Sequence, residues 1–191
     1  VRTTDGEILM SLGELATEKL YSLTNNGHLT AESSYQIKNN AYSFGCTFAE
    51  VEVDIPGCRA QVTDILNVHD CGRLINPALA EAQVHGGMSM AIGYALSEKL
   101  LYDERTGRPL NNNLLDYKLS TFMDHPDLHA SFIENYEPTS AYGTKALGEP
   151  PACSPAPAIR NAILQATGVA LQEIPMRPHL LFEKFTEAGL L

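Results

Sequence analysis

The sequence predicts an α+β fold, a mixed β-sheet with β-hairpins covered by helices, and three features lead there. Phe44, Cys46 and Phe48, then Val51, Val53 and Ile55, alternate with small or charged residues, as a long strand with a bulge would. Across Pro56-Gly57 a second β-rich run follows at Val62, Ile65, Leu66 and Val68, so the two pair naturally as a hairpin. Helical segments lie on both sides of this hairpin instead of alternating strand by strand, which favours α+β over a parallel α/β sheet.

Each element has its own signal. In residues 11–23 apolar side chains recur at Leu12, Leu15, Ala16, Leu20 and Leu23, with Ser11 and Glu14 spaced as a capping box and Asn25-Asn26-Gly27 as the stop. The first strand is expected over residues 41–54. Asn76 followed by Pro77 is a helix start, with Asn as N-cap and Pro at the first helical position; that helix is expected to reach about Leu100. It carries Gly86, Gly87 and Gly93 among many alanines. Glycine costs about 1 kcal/mol in a helix interior, so these residues imply a helix that another backbone or a ligand approaches closely.

Further on, residues 111–118 read as a polar, site-lining loop or short strand, and residues 130–134 as a short strand. Residues 143–157 read as a loop rich in Gly and Pro. A helix over residues 157–167 follows, with Ile159, Ala162, Ile163 and Ala166 on one face and Gly168 as terminator. A last short helix is expected over residues 180–188.

With 191 residues and 44% hydrophobic content, the chain is long enough for a single domain, residues 1–191, with a real core. The formal net charge of -10 argues against nucleic acid or an acidic membrane as partner, since both need basic patches. No stretch approaches the roughly 20 apolar residues of a membrane-spanning helix. The start, Val1-Arg2-Thr3-Thr4, has neither an initiator methionine nor a signal-peptide core, as expected of a piece of a longer, cytoplasmic chain. Cys46, Cys58, Cys71 and Cys153 form no C-x-x-C pair, so they read as free buried thiols and not as zinc or iron-sulfur ligands.

Three segments could carry chemistry. Glu149 lies in Lys145-Ala146-Leu147-Gly148-Glu149-Pro150-Pro151. A loop carboxylate is usually only exposed surface, but here two prolines stiffen the loop and Gly148 permits conformations closed to other residues. That suits a positioned general base, whose geometry matters before its pKa. Gln83 could sit on the wet face of its helix, or its amide could donate and accept toward a heterocyclic cofactor, with Gly86 and Gly87 allowing close access. His69, Asp70 and Arg73 cluster after the second strand without any serine-nucleophile motif, and read as an ordered turn with Gly72 at a special backbone angle.

Taken in order, several motifs together resemble the xanthine dehydrogenase/aldehyde oxidase family of molybdenum hydroxylases, most of all its bacterial xanthine dehydrogenases. They are Phe48-Ala49-Glu50-Val51-Glu52-Val53-Asp54, His69-Asp70-Cys71-Gly72-Arg73 with Ile75-Asn76-Pro77, Gln83-Val84-His85-Gly86-Gly87 leading to Gly93-Tyr94-Ala95-Leu96-Ser97-Glu98, Asp116-Tyr117-Lys118, and the segment from Lys145 to Pro151. Each is weak alone; the succession, over roughly the first 170 residues, is specific.

The resemblance implies a C-terminal part of a molybdopterin-binding subunit, with the corresponding fold. It implies that Glu149 is the base that activates the oxygen nucleophile, with water as the source of the inserted oxygen. Gln83, with Gly86 and Gly148, would bind the cofactor, and molybdenum would be held by the cofactor's dithiolene and not by side chains. FAD and 2Fe-2S clusters are implied on other domains or subunits. A purine is the expected small-molecule substrate, with an aldehyde or another N-heterocycle as the alternative. A reading from another class is a non-catalytic interaction domain that kept the fold.

Overall fold

The computed structural model describes residues 5–22, 27–28, 30–37 and 39–191. The chain divides into two compact units, Val1–Gln36 and Ile37–Leu191, each described by itself. In the first, α1 (Leu12–Tyr21) starts at the expected capping box. Glu14 N donates to Ser11 Oγ at 3.2 Å, and Ser11 N donates to Glu14 Oε2 at 2.7 Å. Ser22 is the C-cap, and no residue of α1 is buried. The predicted apolar position Leu23 and the stop residues Asn25 and Asn26 lie outside the described residues.

The second unit is built on the predicted hairpin. β1 (Phe44–Asp54) pairs antiparallel with β2 (Arg59–Asp70), and β3 (Leu128–Phe132) adds in parallel on the other side of β2. The sheet is therefore mixed, in the order β1-β2-β3. The register steps from Glu50 opposite Asp64 to Val51 opposite Val62, so the extra residue of the bulge is Thr63, on the second strand and not the first.

Helices cover one face of this sheet. α2 (Pro77–Leu96) opens on Asn76, whose Oδ1 accepts from Leu79 N at 3.1 Å. It stops at Leu96, short of the predicted Leu100, because Ser97 leaves helical geometry and both Ser97 N and Glu98 N turn back to Gly93 O. Residues 143–157 are not all loop: α3 (Pro150–Cys153) and α4 (Pro155–Thr167) both start there on proline. Proline fits the first helical turn, where an N–H has no intrahelical partner. Gly168, at φ 74°, caps α4 as expected. α5 (Pro178–Glu187) closes the chain. Val62 and Ile65 of β2, Met88 and Ile92 of α2, Ile163 of α4 and Phe185 of α5 are all buried in one apolar cluster. Residues 111–118 form turns and no strand, since Asn113 Oδ1 accepts from the Leu115 and Asp116 amides and closes a tight loop.

Of the four cysteines, all are free, but only Cys58 and Cys71 are buried. Cys46 shares the outward parity of the exposed Phe44 and Phe48 on β1, and Cys153 sits on the surface of α3, so the expectation of four buried thiols fails for these two.

Two contacts bring distant segments onto this frame. Residues 143–145 are zipped against residues 71–73 by Arg73 N to Gly143 O at 2.9 Å and Lys145 N to Cys71 O at 2.7 Å. Gly72, at φ 69°, has no room for a Cβ, which would strike the Gly143 carbonyl. Beneath this zipper Lys145 Nζ meets Asp70 Oδ2 at 2.7 Å, with the two side chains 4% and 11% exposed. Burial by itself would raise the Asp70 carboxyl; the Lys145 hydrogen bond, the Gly72 amide and Asn135 outweigh it and hold the carboxyl below its usual range. The second contact is α3 on α2. A Cβ on Gly87 would lie 2.6 Å from Pro151 Cβ, whereas one on Gly86 would meet nothing within 4 Å.

Two predictions follow from these contacts. Asp70→Asn leaves a buried ammonium without its partner and should cost about 3–5 kcal/mol near neutral pH. Because the folded pKa is depressed, this contribution is complete above the unfolded value of about 3.9 and disappears as pH falls through the folded value. The gap in unfolding midpoint between native protein and variant should therefore close below about pH 4, which thermal melts across pH will read. Gly87→Ala should destabilise by about 1–3 kcal/mol through overpacking against Pro151, while Gly86→Ala should be neutral or stabilising by up to about 1 kcal/mol. Denaturant melts of the pair test that contrast.

Candidate functional site

Glu149 is the residue before α3, at φ -94° and ψ -31°, and its side chain caps nothing. A carboxylate in this place ordinarily accepts from the first amides of its own helix. Here Pro150 and Pro151 have no N–H to offer, and the amide of Ala152, the third helical residue, donates to the Glu149 backbone carbonyl at 3.0 Å. The exposed carboxylate consequently accepts no hydrogen bond among the described residues.

Gln83 reaches this turn from α2. Its Nε2 donates to the Gly148 carbonyl at 2.7 Å, so three of the four predicted site residues, Gln83, Gly148 and Glu149, are brought together. Gln83 is exposed, as the wet-face reading required, yet its amide is only half used: Oε1 has no partner among the described residues. Gly148 departs from expectation. Its φ lies outside the left-handed region and a Cβ there would meet nothing within 4 Å. Gly148 thus takes part through its carbonyl, not through a conformation special to glycine. Gly86 and Gly87 of α2 differ: the close approach of another segment is at Gly87, and Gly86 faces an open hollow of about 600 Å3 shared with His85, Ser89 and His125.

The short helix after Glu149 is held from several elements. Asn67 Nδ2, on β2, donates to Pro151 O at 3.0 Å. Tyr94 Oη, on α2, donates to Ala152 O at 2.5 Å. Thr47 Oγ1, on β1, lies 2.6 Å from Ser154 Oγ and 3.2 Å from Asn67 Oδ1. Ser43 Oγ donates to Ala146 O at 2.5 Å on the other side of the turn. Sequence reasoning missed Asn67, Thr47 and the tyrosine hydroxyl as site-building groups.

His69 and Asp70 do not work as a pair. Asp70 takes Lys145, while His69 is 1% exposed with neither ring nitrogen hydrogen-bonded among the described residues. Burial pushes its imidazole down, toward the neutral form. Arg73 is exposed, and the cluster is the ordered turn that was expected, with Gly72 at positive φ. Among the described residues no trio of His, Cys, Asp or Glu is arranged to hold a metal ion. A second hollow, of about 620 Å3, is lined by Cys58, Arg59, Ile92, Leu96 and Lys118 at the far end of α2 and includes none of the predicted site residues. No helix among the described residues is long and apolar enough to cross a membrane.

Comparison with known proteins places the sequence and the fold in a family. The model of the molybdopterin cofactor-binding domain family matches residues 1–126, a segment that holds Gln83 and Gly86 and ends before Gly148 and Glu149. The xanthine dehydrogenase molybdenum-binding subunit of Escherichia coli O157:H7 is 51% identical over 185 residues, covering 97% of this chain and 25% of that protein. The aldehyde oxidoreductase molybdenum-binding subunit PaoC of Escherichia coli K12 is 32% identical over 174 residues, covering 88% of this chain and 24% of the relative. Among solved structures, reconstituted CO dehydrogenase from Oligotropha carboxidovorans superposes with a TM-score of 0.81 at 29% identity, over 95% of this chain and 23% of that one. The chain spans about a quarter of the length of these relatives. With its fold, its motifs and the family match in agreement, the chain belongs to the molybdopterin cofactor-binding domain family.

Proposed function

We propose that this chain forms one wall of the active site of a molybdenum hydroxylase that oxidises a purine such as xanthine or hypoxanthine, with Glu149 as general base and water as the source of oxygen. The observation that carries the reading is the 2.7 Å hydrogen bond from Gln83 Nε2 to Gly148 O. It joins the glutamine that would face the cofactor to the backbone of the turn that carries the base. The higher identity to a xanthine dehydrogenase subunit, 51% against 32% for an aldehyde oxidoreductase subunit, supports a purine over an aldehyde.

The residues suit the group the family binds. Gln83 Oε1 is a free acceptor on an exposed face, and a pterin presents its amino group and ring N–H as donors. Gly86, open on the same helix, places no side chain in the way. When bound, the molybdenum cofactor supplies the acceptor for the two electrons of the oxidation. Gln83 orients, through an acceptor whose partner donor atom is already fixed on Gly148. Glu149 takes the proton: its lone pairs are unoccupied, and its backbone is held on both sides, so a proton-bearing oxygen in reach meets a base of defined direction. In this reading the 191 residues are part of a longer cytoplasmic subunit, whose remainder completes the cofactor and substrate sites and whose electrons leave through iron-sulfur and flavin partners.

Glu149→Gln in the complete, cofactor-loaded subunit should lower kcat by about 10²–10⁴-fold with molybdenum content unchanged. Steady-state kinetics beside metal analysis read both quantities, and an unchanged kcat would remove Glu149 from the chemistry. The 191-residue chain alone should neither retain molybdenum through gel filtration nor hydroxylate xanthine.

A further inference from the structure

The spacing of three prolines creates a problem that two side chains solve. In a continuous helix the carbonyl of residue 151 accepts from the N–H of residue 155. Residue 155 is proline and has none. The helix breaks at Ser154, between α3 and α4, and the Pro151 carbonyl is left facing the interior, where an unmet acceptor is costly. The amide of Asn67 stands in for the missing N–H, at 3.0 Å.

Asn67 is otherwise hard to account for. It is fully buried at 0% exposure in the middle of a strand whose inward neighbours are the apolar Ile65 and the imidazole of His69. Its own Oδ1 is met by Thr47 Oγ1, which in turn pairs with Ser154 Oγ at the break. Both ends of this amide therefore lead to α3. Tyr94 does the same from α2: its ring is half-buried and its hydroxyl ends on Ala152 O. Burial pushes the Tyr94 hydroxyl up, with the nearby Cys153 adding to it, so it stays a donor over the physiological range.

Resting on the assignment of Glu149 as base, we propose that Asn67 and Tyr94 are positioning residues for it, fixing the one-turn helix that begins at Pro150 and so the direction in which the Glu149 carboxylate points. Neither side chain reaches the carboxylate; each acts through the backbone two or three residues beyond it. A carboxylate without hydrogen bonds of its own takes its direction from this backbone, which the two donors hold together with the Thr47–Ser154 pair and the packing of Pro151 on Gly87. Displacement of a reacting group by about 1 Å can cost on the order of 10²-fold in rate.

The test uses the complete cofactor-loaded subunit. Tyr94→Phe removes only the hydroxyl, and Asn67→Leu removes the amide; the tyrosine variant carries the test alone if the asparagine variant does not fold. Each should lower kcat by about 10–100-fold with KM and molybdenum content little changed. Amide hydrogen exchange at residues 152–154 should accelerate in the same variants, without activity entering the measurement. In a Glu149→Gln background Tyr94→Phe should lower kcat no further, because its effect runs through the glutamate. Equal losses in both backgrounds, or unchanged exchange at residues 152–154, would overturn the positioning role while leaving the base intact. If Glu149→Gln itself keeps full activity, the base assignment is what fails, whichever way Tyr94→Phe behaves.

Discussion

A backbone carbonyl turned inward without a donor is the constraint around which the second unit is arranged. Pro155 removes the amide that would have satisfied Pro151, and the break it makes sets α3 apart as a single turn between Glu149 and Ser154. One turn of helix has little cohesion of its own, since nucleating helix is unfavourable and most helical stability comes from packing. What holds it is external: Asn67 from β2, Tyr94 from α2, Thr47 from β1, and the contact of Pro151 with the bare backbone of Gly87. The sheet and its longest helix thus converge on four residues of chain.

That convergence explains the composition of α2. A row of small residues could serve either a ligand or a neighbouring segment, and the two uses separate by one residue. Gly87 is buried and admits Pro151; Gly86 is exposed and admits nothing from the described residues. The free energy lost to glycine at position 87 is offset by the close packing of α3, whereas Gly86 has no such compensation within the described residues. An unfilled glycine beside Gln83 is what a ligand-facing helix surface requires.

Much of the fold was legible from residues 41–100 because their signals are local. Period-two alternation, Pro56-Gly57 and the Asn76-Pro77 start each act within a few residues, and the hairpin and α2 sit where they indicate. Glu149 and Gln83 were legible through motif succession, and their meeting at Gly148 through nothing in the sequence at all. Residues 143–157 were misread because Gly and Pro mark both loops and helix starts; only the i, i+4 relation of Pro151 to Pro155 hints that a helix is present and a carbonyl orphaned. Asn67 carries no local signal, because a buried amide in a strand declares itself only once its partner 84 residues away is known. The outward cysteines were misjudged for the opposite reason: residue type suggested burial, while strand parity, visible at Phe44 and Phe48, already pointed Cys46 away from the core.

The role proposed for Glu149 asks two things of it that normally conflict. A base must keep its lone pairs free, yet a side chain is usually held in place by hydrogen bonds to those same lone pairs. The turn at Glu149 separates the tasks. Pro151 withholds one of the amides that could occupy the carboxylate and the Glu149 carbonyl takes the other, from Ala152, while the carbonyls at Gly148, Pro151 and Ala152 accept the bonds that fix the backbone. On the N-terminal side Lys145 adds a buried ion pair four residues before the glutamate, anchored to the end of β2 by Asp70. A serine or asparagine in place of Pro151, the second helical residue, would return an amide to the carboxylate and tie it into its own helix. Under that proposal the two prolines help to leave the carboxylate unpaired on a rigid support, and the donors spread over β1, β2 and α2 are the counterpart of that arrangement.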